Sequence, residues 1–244
     1  MRKSQINIAL IYIGLSLSFS CRSNVFEPVD EPKPADQAAA YMDEQKPDEA
    51  ISVLNSALKS APNNYQLISL MASAKAQKAG IDTLNIAVKL ATEGVQGDNA
   101  LTAMFSILPT VTPTNRQLML EVVTLLGSIP VASRTNADNF KSTLFNAAFT
   151  ALQAKFFDGD GNGQFSVEEL SQLDDASADA IINSLLDAQN SAVLFDGAEN
   201  NGVAAEKVQQ IKAQLDAQPG ANNAEKIRNM LAAQGVDPTR PRAP

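Results

Sequence analysis

The chain has 244 residues and a formal net charge of −8, and 45% of it is hydrophobic. Such an acidic chain repels nucleic acid and anionic lipid faces and attracts cations. It has no histidine and a single cysteine, Cys21. Ser–His and Cys–His catalysis and zinc sites built on His or Cys are thereby excluded, and the oxygen ligands of hard divalent cations remain.

Residues 1–21 read as an address. Arg2 and Lys3 form a basic start, and Ile6 to Ser20 is a nearly uncharged apolar run. About 15 residues is short for a membrane span of roughly 20 and suits the core of a secretory signal. Leu17-Ser18-Phe19-Ser20-Cys21 resembles a bacterial lipoprotein lipobox, although Ser18 stands where that pattern prefers Leu. The resemblance implies lipid attachment at Cys21 and anchoring in the bacterial cell envelope, with the outer membrane as the expected address. Simple cleavage after Ser18-Phe19-Ser20 fits the same residues. Residues 22–34, with Pro28, Pro32 and Pro34, read as a tether.

From there on alanine, leucine, glutamine and asparagine are frequent and β-branched alternation is scarce, so the expected fold class is all-α. Turn signals at Pro47, Pro62-Asn63-Asn64, Gly80, Pro109 to Pro113, Ser128 to Pro130 and Pro219-Gly220 predict helices of roughly 10 to 18 residues between them. Within residues 31–64, Ala38, Tyr41, Ala50, Leu54, Ala57 and Pro62 fall on the small, aromatic, small, large, small and proline places of a 34-residue pattern. In that respect the segment resembles a tetratricopeptide repeat. The next 34 residues keep Met71 and Ala72 in phase but put Lys75 on the aromatic place. Residues 35–135 are therefore expected to form repeat-like helical hairpins, which implies a groove for a protein partner. A plain helical hairpin in a bundle accounts for the same residues.

The sharpest motif is Asp158-Gly159-Asp160-Gly161-Asn162-Gly163-Gln164-Phe165-Ser166-Val167-Glu168-Glu169. It is identified as an EF-hand loop. Gly163 falls at the sharp turn, where a residue without Cβ takes positive φ at little cost. The resemblance implies calcium held by Asp158, Asp160, Asn162 and Glu169, by the Gln164 carbonyl, and by Ser166 directly or through water. Phe145, Phe149, Leu152 and Phe156 recur at helical spacing before the loop, and Leu170 and Leu173 follow it. A second stretch, from Asp196 to Lys207, echoes the loop imperfectly: Ala198 takes the third place and Lys207 the twelfth. It reads either as a pseudo-hand that pairs with the first loop without binding metal or as an ordinary helix–loop–helix. Residues 138–217 thus form the expected EF-hand region. A C-terminal helix over 218–234 and a disordered tail over 235–244 complete the chain.

The adjacent acids Glu168-Glu169 and Asp174-Asp175 do not face each other on a helix, and helix starts explain them better than catalysis. The expectation is a calcium-binding, lipid-anchored interaction scaffold rather than an enzyme. Its partners would be calcium, a membrane through the Cys21 anchor and an unidentified protein, but no nucleic acid. The alternative is a calcium-responsive sensor or adhesion factor of the envelope.

Overall fold

A computed structural model of the protein describes residues 32–82, 108–159, 166–196 and 213–233. The signal, Cys21, most of the tether and the tail lie outside them. Every regular element among the described residues is helical, as the composition leads one to expect. The chain runs α1 (Pro34–Asp43), α2 (Pro47–Ser60), α3 (Tyr65–Lys78), α4 (Pro113–Gly127), a 3₁₀ turn (Val131–Ser133), α5 (Asn136–Phe157), α6 (Val167–Ser171), α7 (Asp175–Asp196) and α8 (Asn223–Ala233). All of these belong to one unit, Pro34–Pro244. No helix of the described residues is long and apolar enough to cross a membrane.

The helix boundaries follow from local chemistry. Pro47 starts α2, where a missing N–H costs nothing. α1 ends in a left-handed turn at Gln45 (φ 59°), closed by hydrogen bonds from Gln45 N–H to Met42 O and from Lys46 N–H to Tyr41 O. α3 ends the same way at Gly80 (φ 81°), with Gly80 N–H on Gln77 O and Ile81 N–H on Ala76 O. Capping boxes open α4 (Thr112 with Asn115), α5 (Thr135 with Asp138) and α6 (Ser166 with Glu169). Asp174 caps α7, accepting from Ser177 N–H at 2.7 Å. The acids at 174–175 are therefore helix-start residues.

Two apolar clusters hold the helices together. The smaller is built from Ala38, Ala50, Leu54, Leu67, Met71 and Ala74, with Tyr41 and Ala57 packed against it. The larger runs from α3 to α8 and contains Phe145, Phe149, Leu152 and Phe157. α3 lies between them. Leu67, Met71 and Ala74 serve one cluster, and Ile68, Ala72 and Ala76 serve the other. A helix covered on two faces shows no single apolar stripe.

α5 and α7 make the most extensive helix pair. Phe140 meets Phe195 at 5.3 Å between ring centroids, Ser191 Oγ donates to Ser142 Oγ at 2.8 Å, and Thr143 Oγ donates to Ala188 O at 3.4 Å. Residue numbers rise on one helix as they fall on the other, so the pair is antiparallel. This corrects the expected pairing of loops. Asp196 follows Phe195 at the Phe140 end of α5, whereas Asp158 follows the other end. At 1.5 Å per residue those ends are about 26 Å apart, so the loop beginning at Asp196 starts far from the one beginning at Asp158. The remainder of the second stretch, 197–207, lies outside the described residues.

Candidate metal centre

The loop expected to hold the cation is described at its two ends. α5 delivers Asp158 and Gly159, and the first turn of α6 carries Ser166 to Glu169. Asp160, Asn162, Gln164 and Phe165 lie outside the described residues. Asp158 and Glu169 are both buried, with 7% and 6% of their surface exposed.

The two ends are joined through Glu169. Gly159 N–H donates to its Oε1 at 2.7 Å. Ser166 N–H and Ser166 Oγ donate to its Oε2 at 2.8 and 2.9 Å, and Ser166 Oγ accepts from Glu169 N–H at 3.2 Å. Burying a carboxylate costs a great deal unless it is hydrogen-bonded or paired, and these bonds supply part of the compensation. Each carboxylate oxygen has two lone pairs, so Oε2 is already engaged twice by Ser166, and a cation there would compete with those donors. In kind the donor set suits calcium: hard oxygens, two of the groups being buried carboxylates. Among the described residues alone, no group of three or more acidic or thiol side chains converges as a metal site would require.

The Ser166–Glu169 pair caps a helix. Ser-x-x-Glu is the sequence signature of a capping box, and it caps α6 here. The exiting helix is also shorter than the pattern Leu170 and Leu173 suggested. It stops at Ser171 because Asp174 opens a new helix, while Leu170 and Leu173 are both buried in the larger core.

The entering helix departs from its own periodicity at one place. Phe145, Phe149 and Leu152 are buried, but Phe156 is 44% exposed and Phe157 turns inward instead. The Phe156 ring lies under the guanidinium of Arg116, whose carbon is 3.6 Å from the ring centroid. Arg116 Nε and Nη2 also donate to Gln153 Oε1 at 3.0 and 2.6 Å. Burial pushes the Arg116 pKa down, and the nearby Asp174 carboxylate works against that shift. No residue pattern announces this contact, because Arg116 stands in a stretch that resembles no known motif.

Polar groups also line the interior away from the loop. Asp138, Asn139, Ser142, Asn146, Thr150 and Gln153 are all buried on α5. Burial works to raise the Asp138 pKa, but hydrogen bonds from Ser69 and Thr135 outweigh it and hold the carboxyl below its usual value. Lys141, which donates to Ser69 Oγ at 3.1 Å, has its pKa lowered by burial. A small cavity beside α7 is lined by Ile182, Leu185, Leu186 and Leu215, with Asp216 and Lys226 also on its wall.

No protein-family model matches the chain, and neither a curated protein nor a solved structure is significantly similar to it.

Proposed function

We propose that the protein is a calcium-binding lipoprotein of the bacterial cell envelope. In this reading its helical hairpins hold a protein partner, and its 158–169 loop carries a structural calcium ion. The observation that carries the calcium reading is the burial of Asp158 and Glu169 at the two ends of one loop, tied by the Gly159 N–H. Asp160, Asn162, the Gln164 carbonyl and Ser166 would complete the oxygen shell. Bound there, calcium supplies a positive centre that neutralises the carboxylates and fixes the loop.

A stabilising ion is favoured over a switch. A sensor swings its exiting helix to expose apolar surface. Here α6 is only five residues long, and Leu170 and Leu173 sit in the core beside it. A lever that short, with Leu170 already buried, has little to expose.

The scaffold reading draws support from two recurrences. Ala38 and Ala72 are both fully buried, and Gln45 and Gly80 both close a helix in the left-handed conformation. Each pair stands about one 34-residue repeat apart. Lys75, on the aromatic place of the second unit, bonds Glu121 of α4 at 2.6 Å instead of filling the gap between helices. The envelope anchor rests on the lipobox-like residues before Cys21.

Calorimetric titration of the purified chain with calcium tests the central part. A saturable uptake of one ion per chain is expected, and no heat and no uptake would refute it. Mass spectrometry of the mature N-terminus tests the anchor, which requires an acylated Cys21.

A further inference from the structure

The geometry points to Arg116 as a positioning residue for the calcium loop, a strut that holds the last turn of the entering helix and, through it, Asp158. The inference rests on the calcium reading above. α4 begins at Pro113, and its capping box fixes the first turn that carries Arg116. From there the side chain reaches the last turn of α5. Both Nε and Nη2 converge on Gln153 Oε1, and the guanidinium covers Phe156. Phe156 in turn meets Phe157 edge-on at 5.2 Å between centroids. Phe157 is buried and immediately precedes Asp158.

One planar cation thus grips the last turn of the entering helix by hydrogen bonds and by stacking. Arginine is suited to this because its fork bonds an amide oxygen while its face stacks on an aromatic ring. Groups behind a metal site that hold its ligands in place are worth about 10- to 100-fold in affinity. Holding the entering end in advance lowers the ordering cost that the ion must otherwise meet.

The test uses the full chain and three variants, Arg116→Met, Arg116→Lys and Phe156→Leu. Calcium affinity is read by calorimetry. Stability in chelator is read by denaturant midpoint, and amide hydrogen exchange at Gly159 is read in chelator. Arg116→Met is expected to weaken calcium binding about tenfold and to speed exchange at that amide while α2 amides stay protected. Arg116→Lys keeps the charge but loses the fork and should weaken binding in the same direction. Phe156 is exposed enough for Phe156→Leu to fold, and it should give a smaller shift. An unchanged affinity in Arg116→Met, with equal loss of midpoint in calcium and in chelator, would reduce Arg116 to an ordinary packing residue. If the unaltered chain takes up no calcium, the calcium reading fails on its own. The strut is then judged by exchange alone, and unchanged protection at Gly159 in Arg116→Met overturns it.

Discussion

The two halves of the bundle are held together in different ways. Around α2 and α3 the packing is mostly apolar: Ala50, Leu54, Leu67, Met71 and Ala74 close the gap, and Gln77 adds a single polar tie, Nε2 donating to Met42 O at 2.9 Å. Between α5 and α7 the packing includes a polar seam. Ser142 bonds Ser191, Asn146 bonds back to Ser142 O at 2.9 Å, and Arg134 Nη1 reaches Ser191 Oγ at 3.4 Å. Arg134 also donates to Ile129 O and Leu126 O, covering the carbonyls at the end of α4. Apolar packing gives strength in proportion to area and tolerates sliding. A polar seam contributes less net energy, but it fixes one register because misplaced partners leave buried groups unpaired. The half that carries the candidate loop is thus the half whose register is most tightly specified.

The largest perturbation should come from the apolar half. Leu54 is fully buried, and Leu54→Ala is expected to cost about 2–5 kcal/mol, read from the denaturant midpoint. A cost under about 1 kcal/mol would mean that the small cluster collapses readily and that the contrast between the halves is overstated. The polar half should respond less. Ser142→Ala removes the partner of Ser191 and one acceptor of Asn146, at a cost of about 1–2 kcal/mol. The seam's register role predicts a second effect, faster exchange of amides on both α5 and α7. A loss confined to one helix would argue against it. The smallest effect is a gain. Gln45 closes α1 at φ 59° without being glycine, so Gln45→Gly should stabilise the protein by about 0.5–1 kcal/mol. Gly80 already has this device, which makes the first hairpin the one with room to improve.

The halves also differ in how much of them could be read from the sequence. In the N-terminal half, small residues, Leu54 and the turns at Pro47, Pro62 and Gly80 marked the helices directly, since apolar spacing and chain breakers report packing there. In the C-terminal half, Asn146, Thr150 and Ser191 are buried polar residues that apolar spacing reads as surface. α5 and α7 each run to 22 residues, longer than the turn signals suggested, because no breaker interrupts them. The antiparallel pairing that separates Asp158 from Asp196 depends on contacts between residues 45 to 55 positions apart, which local spacing does not encode. The loop itself was legible at both ends. That Ser166 and Glu169 also form a capping box was equally legible in Ser-x-x-Glu. The break after Ser171 could have been found from Asp174, a capping residue three positions before Ser177.

The double use proposed for Glu169 provides the most direct measurement. Glutamine can keep the Ser166 cap with its one acceptor oxygen, but it loses the Gly159 contact and the negative charge a cation needs. Melting of the unaltered chain and of Glu169→Gln is to be compared in calcium and in chelator. With calcium at about a hundred times its dissociation constant, binding adds about 2.7 kcal/mol, or roughly 5–10 °C for a chain of this size. The account predicts that shift in the unaltered chain and none in Glu169→Gln, with Glu169→Gln lower in chelator only by the lost Gly159 contact, about 1–3 kcal/mol. Calcium stabilising neither protein, with Glu169→Gln lower by the same amount in calcium and in chelator, would show that Glu169 serves only as a helix cap.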